Sequence, residues 1–190
     1  MNNCGFSEEE AKKVEKNYHV MYEASDAWLE AKLLEASKLG YAELAFGLRL
    51  RTPLLARTVM GSSMKANISS AEARTAGNAF SGQSFGLLNC KAANDFMERV
   101  YASPYKYDIM PVMQIHDAQY YIFPDDVDIV KWVNDNLTEC MSWQDLPELQ
   151  HDVVKLGSNL DLFYPHWDKP ITLKNNISIE EIYDTVSKHA

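Results

Sequence analysis

The chain has 190 residues, 46% of them hydrophobic and 24% charged, with a formal net charge of −9. That length suits one domain or two small lobes, and the apolar content argues against wholesale disorder. No apolar run approaches the ~18 residues of a membrane span, so no membrane partner is expected.

The acidic, polar start does not read as a secretory signal. Cys4, Cys90 and Cys140 are odd in number and far apart, which suits neither a zinc knuckle nor a disulfide framework. A reducing cytoplasm is the expected compartment. The charge is uneven. Residues 1–45 carry 5 basic and 9 acidic side chains, 46–122 carry 8 and 5, and 123–190 carry 5 and 13. From 46 to 71 there are Arg49, Arg51, Arg57 and Lys65 and no acid. Such a strip is either a solvated loop or a guide for a polyanion.

Ser7 with Glu10 forms a capping box, and Ala11, Val14, Tyr18 and Met21 follow at helical spacing. A second helix is expected from Ser25 or Asp26, with Leu29, Leu33 and Ala36 on one face, ending at Gly40. Residues 41–46 read as a short strand and 47–68 as an extended basic loop. Ser69 with Glu72 resembles a second capping box, opening a long helix that runs to about Tyr101, before Ser103-Pro104. Gly77, Gly82 and Gly86 each cost that helix roughly 1 kcal/mol against alanine. They point to close packing or to the approach of another backbone.

Residues 110–115 and 119–123 are rich in β-formers and flank His116-Asp117, which predicts a β-hairpin with that pair at its tip. Asp125 or Asp126 caps a helix with Val130, Val133, Leu137 and Met141 on its apolar face. Residues 152–156 read as a strand, and the last 25 or so as a polar, weakly patterned tail. Cys90 is expected to be a buried small residue. Trp28, Trp132, Trp143 and Trp167 are expected in packing or at a subunit interface, and Tyr120, Tyr121 and Phe123 in the sheet core. This order of elements predicts an α+β fold with helices on one face of an antiparallel sheet.

A carboxylate held on a hairpin is a good ligand for a hard cation, but one carboxylate is too few for a dedicated magnesium site. The motifs add to this. Gln114-Ile-His-Asp117 between two strands resembles motif C of the family A, Pol I-type, DNA polymerases. Glu72-Ala-Arg-Thr-Ala-Gly-Asn78, followed by Gln83-Ser-Phe-Gly-Leu-Leu-Asn-Cys-Lys91, is similar to that family's long palm helix, in a phage-like form. Gly40-Tyr41 with Phe46-Gly-Leu-Arg-Leu-Arg-Thr-Pro53 resembles an arginine-rich segment upstream of it. Residues 7–22 resemble a fingers helix, and Asp152-Val-Val-Lys-Leu-Gly157 the last palm strand. The matches keep family order across residues 5–160.

The resemblance implies a palm-type antiparallel sheet with a long helix packed on it, preceded by a helical fingers remnant. The implied division is 1–45 fingers remnant, 46–68 basic connecting loop, 69–160 palm, and 161–190 a C-terminal tail or docking arm. The implied activity is template-directed DNA synthesis, in DNA replication, with two Mg2+ ions. Asp117 is the implied metal ligand, with His116 beside the primer end. Arg74, Asn78, Gln83 and Gln114 are implied contacts to primer–template DNA, in whose minor groove every base pair offers an acceptor. Arg49, Arg51 and Arg57 are implied phosphate contacts.

The chain departs from the family pattern. Ala118 stands where a glutamate often follows the aspartate, and the arginine triplet is reduced to Arg49 and Arg51. Arg74, Asn78 and Gln83 are spaced four then five, where the family spaces them four and four. At ~100° per residue, the extra residue puts Gln83 about 140° from Asn78 on a regular helix. A one-residue π-bulge near Gly82 would absorb it, and we predict one.

The sequence has no Asp-x-Ser-x-x-Glu stretch and no helix of the nucleotide-binding type. The expectation is therefore a split polymerase, active only with an N-terminal subunit that supplies the first catalytic aspartate and the dNTP-binding helix. If it is viral, the compartment is the host cytoplasm. Two other readings stand beside this one. One is a non-catalytic structural or regulatory polymerase-like module. The other is a His-Asp metal-dependent phosphohydrolase, for which the remaining histidines are scattered.

Overall fold

A computed structural model describes residues 5–57, 67–142, 150–154, 156–164 and 166–188, with the side chains of Arg57, Asn67 and Ile68 excepted. The fold is mixed α+β, with short antiparallel strand pairs. Two compact units divide it, Met1–Ser84 and Phe85–Ala190. The boundary falls inside the predicted long helix and not at either end of the predicted 69–160 segment.

In the first unit, α1 (Glu8–Met21) starts on the expected capping box, with Ser7 and Glu10 exchanging hydrogen bonds. Its apolar residues Val14, Tyr18 and Met21 stay exposed. Helix α2 (Glu23–Leu39) starts two to three residues before the predicted serine or aspartate. It ends at Gly40, whose φ of 77° lets its N–H reach the Ala36 carbonyl. Strand β1 (Tyr41–Glu43) pairs antiparallel with β2 (Arg49–Arg51), with Glu43 opposite Arg49. The predicted loop thus contains a strand, and beyond it a 3-10 turn, Leu55–Arg57. Buried Thr52 ties this ribbon to α2, its N–H bonding Gly40 O and its Oγ1 bonding Ala36 O.

Helix α3 (Asn67–Asn78) starts two residues before the predicted cap. Ser69 therefore lies inside the helix and not at its cap. Glu72 Oε2 accepts from the Leu55 N–H at 2.5 Å. A π-helical turn, Ala79–Gln83, follows directly. The core of this unit is Ala36, Ala42, Leu44, Leu55, Ala76, Ala79 and Phe80. A Cβ on Gly77 would meet Leu29 at 3.5 Å, an ordinary contact. Packing in this unit therefore does not demand glycine there.

In the second unit, α4 (Ser84–Ala102) buries Asn89, Ala92, Phe96 and Val100 on one stripe. Strands β3 (Met110–Ile115) and β4 (Ala118–Ile122) form the predicted hairpin. Asp126 caps α5 (Val127–Met141) by accepting from the N–H groups of Asp128 and Ile129. The helix buries Ile129, Val130, Val133 and Leu137.

Two expectations fail beyond this point. The described residues of 152–156 form no strand. Val153 and Val154 are exposed, and their N–H groups bond the His151 ring. The strand lies later, at β5 (Leu160–Leu162), paired antiparallel with β6 (Ile171–Leu173). Nor are the described residues of 161–190 without regular structure. Helix α6 (Ile179–Ser187) starts on a capping box of Ser178 with Glu181, and Ile171, Leu173, Ile177 and Ile182 join the core around Phe96. Four branched apolar side chains in one core are enough to hold a short, otherwise polar segment. The described strands make three separate two-stranded ribbons.

Candidate functional site

The tip of the β3–β4 hairpin is built from both sides. Ile115 pairs with Ala118, leaving His116 and Asp117 as a two-residue turn. His116 has φ 53°, a left-handed conformation unusual outside glycine and asparagine. Such residues cost of order 1 kcal/mol and persist where their surroundings hold them. Both side chains are exposed. Asp117 opens onto a cleft of about 370 Å3 that is also lined by Thr138, Ser158, Asn159 and Asp161.

The turn is held by a polar network that sequence reading did not single out. Asn89 on α4 is only 3% exposed, and its Nδ2 donates to the His116 carbonyl at 3.3 Å. Gln119 Nε2 donates to both the Oδ1 and the backbone carbonyl of Asn89, each at 2.7 Å. The Tyr121 hydroxyl donates to Gln119 Oε1 at 2.6 Å. Burial pushes the Tyr121 hydroxyl up to about 12, helped by nearby Cys140, so it remains a neutral donor at physiological pH. Its ring packs edge-on against Phe96 at 4.9 Å. The one available signal was an asparagine at a core position of an otherwise apolar helical stripe.

Gln114 lies on β3 opposite Gln119, and its Nε2 meets Cys90 Sγ at 3.5 Å. Cys90 is exposed and not buried as expected. Trp132 packs on Phe96 and Tyr105, and Trp28 on Phe80, as expected of packing residues. Trp143 lies outside the described residues.

The other predicted contact residues belong to the first unit. Arg74, Asn78 and Gln83 are all exposed. The predicted π-turn is present at Ala79–Gln83 and contains Gly82. At five residues to roughly 4.4 per turn it returns Gln83 toward the Asn78 face, where an α-helix would swing it away. The Asn78 side chain lies over this turn, its Oδ1 being 3.5 Å from where a Gly82 Cβ would stand.

Arg49 is committed locally. Its Nε donates to Glu43 at 3.3 Å, and its guanidinium stands 4.5 Å from the Tyr41 ring centroid. The acid-free strip in the sequence therefore has an acid beside it in the fold. Both partners are well exposed, so the pair holds Arg49 only weakly. Arg51 is exposed, and the Arg57 side chain lies outside the described residues.

Among the described residues no three His, Cys, Asp or Glu side chains gather to hold a metal ion. Asp117 fits a hard divalent cation as a single ligand, which is half of a site at most. No described helix is long and apolar enough to cross a membrane. No protein-family model matches the chain, and no curated protein matches it significantly.

Proposed function

We propose that this chain is the motif C-bearing, palm-type part of a family A-like DNA polymerase, completed by another polypeptide. The π-turn carries the reading. This chain has one residue more between Asn78 and Gln83 than the palm helix it resembles, so the resemblance demanded a π-bulge to absorb it, and a π-turn lies at Ala79–Gln83. A chance match of motifs would carry no such demand. The exposed Asp117 on a held turn supports it further.

In this reading Asp117 contributes one carboxylate to a site for two Mg2+ ions, and the partner chain contributes the other. When bound, the ions supply charge stabilisation for nucleotidyl transfer from a dNTP. This chain's own residues do the positioning. Asn89 fixes the His116 carbonyl and hence the turn, His116 lies beside the primer end, and Arg74, Asn78 and Gln83 donate to minor-groove acceptors. Gln114 lies two residues before His116 on the same strand, and Arg49 and Arg51 meet phosphates. Surrendering the exposed Glu43 pair costs Arg49 at most about 1 kcal/mol.

The experiment is reconstitution. The chain is mixed with a polypeptide from the same source that carries an Asp-x-Ser-x-x-Glu stretch and a basic nucleotide-binding helix, and primer extension is measured with Mg2+. Extension is expected from the pair and from neither chain alone. Asp117→Ala is expected to lower it by a factor on the order of 1,000. Extension unchanged by Asp117→Ala would overturn the catalytic role and favour the non-catalytic module. Hydrolysis of phosphate esters by the chain alone, lost in Asp117→Ala, would favour the phosphohydrolase.

A further inference from the structure

Within the second unit, a cleft of about 670 Å3 opens between the hairpin, α5, β5 and α6. Its rim is unusually apolar for a surface. Ile122 is 62% exposed, Tyr183 61% and Trp167 58%, and Val112 and Met113 are half exposed. Isolated exposed apolar side chains are ordinary, but a contiguous set around one concavity marks a binding surface.

Two features show that the fold presents this surface. Val112 and Met113 are neighbours on β3, and in a regular strand they would face opposite ways. Here the pairing slips between Pro111, opposite Tyr121, and Met113, opposite Tyr120, and both residues line the cleft. Such a bulge re-aims a side chain. In addition, Trp167 stacks on Phe163 at 4.4 Å and 16°, and on Tyr120 at 5.3 Å and 27°. Three rings in register make a rigid wall that loses little entropy when something packs against it.

Charge narrows the occupant. Asp125 and Asp161 line the same cleft. Residues 123–190, which supply most of its lining, carry 13 acidic and 5 basic side chains. A phosphate backbone would be repelled there, and so would a second copy of a chain of net charge −9. A lysine or arginine would be attracted, and arginine also stacks well on an exposed tryptophan face.

We infer that this cleft docks a segment of another protein that presents two or three apolar or aromatic side chains flanked by lysine or arginine. The inference does not depend on the polymerase reading, because none of the residues it uses is assigned to catalysis or DNA contact, although Asp161 also lines the cleft beside Asp117.

The test is selection of random dodecapeptides displayed on phage against the intact chain, followed by affinity measurement on synthetic copies of the winners. Expected winners combine at least two apolar anchors with at least two basic residues, and their affinity falls with added salt. Ile122→Lys and Tyr183→Lys, both at exposed positions and checked for unchanged circular dichroism, are each expected to weaken binding at least tenfold. Failure to enrich peptides, enrichment of acidic or neutral ones, or binding indifferent to both variants would overturn the inference. So would binding of a labelled thymidine 16-mer that both variants weaken, which would make the cleft a nucleic-acid site. Dimerisation lost in Ile122→Lys would assign it to self-association instead.

Discussion

Replacing Gln119 by leucine tests whether the Asn89 network holds the hairpin to its helix. The two side chains are close in volume, so little cavity forms and the change is mainly polar. Four hydrogen bonds disappear, two at 2.7 Å to Asn89, one at 2.6 Å from Tyr121 and a weak one at 3.4 Å to Met141 Sδ. Asn89 Oδ1 then sits on a 3% exposed residue without that donor. A stranded buried polar group costs about 1–3 kcal/mol, and the Tyr121 hydroxyl, being half-buried, adds a smaller amount. The expected loss is about 2–3 kcal/mol. That is a large share of the roughly 5–15 kcal/mol a domain holds, and about 1 M in the urea midpoint. Equilibrium urea unfolding of wild type, Gln119→Leu, Asn89→Leu and the double variant forms a cycle. The double variant strands fewer partners, so it is expected to be more stable than additivity allows by about 1–2 kcal/mol. Losses under about 0.5 kcal/mol for Gln119→Leu, or single losses that simply add, would refute the network as the anchor of the turn.

The His19 imidazole meets Asp26 at 2.7 Å, and hydrogen bonding to that carboxylate, then its charge, raises the His19 pKa above its ordinary value. Both groups are solvent-exposed, so the effect is local. The contribution is complete below the unfolded value near 6.5 and is lost as pH rises through the folded one. An NMR titration is expected to place His19 above that reference in the wild type and closer to it in Asp26→Asn, and equal values would refute the pairing. For the cysteines, burial pushes the Cys140 thiol up while Cys90 is exposed. Alkylation of the native chain, mapped by mass spectrometry, is expected to label Cys90 at least tenfold faster, on the order set by thiolate access. Equal rates would contradict the burial of Cys140.

Features that rest on neighbours along the chain were legible in the residues alone. The capping box at Ser7, the glycine stop at Gly40, the apolar stripe of α5 and the turn between two β-rich runs all act within a few residues. The π-turn was legible for a related reason, since a count of residues between Asn78 and Gln83 is a statement about helical angle. Sequence by itself settled those elements. Tertiary structure decided which side chains meet across elements. Asn89 lies on an apolar stripe, and only the arrival of Gln119 and the His116 carbonyl makes its burial tolerable. Cys90 lies near the same stripe but is turned outward to Gln114. Val153 and Val154 have strand-like composition but no partner strand among the described residues, whereas Leu160 and Leu162 have one in β6. The segment after residue 160 is polar on average, yet four branched side chains bring it into the core. Helix caps and turns draw on short-range hydrogen bonds, whereas burial is a property of the surface another segment covers, and average composition does not encode which segment that is.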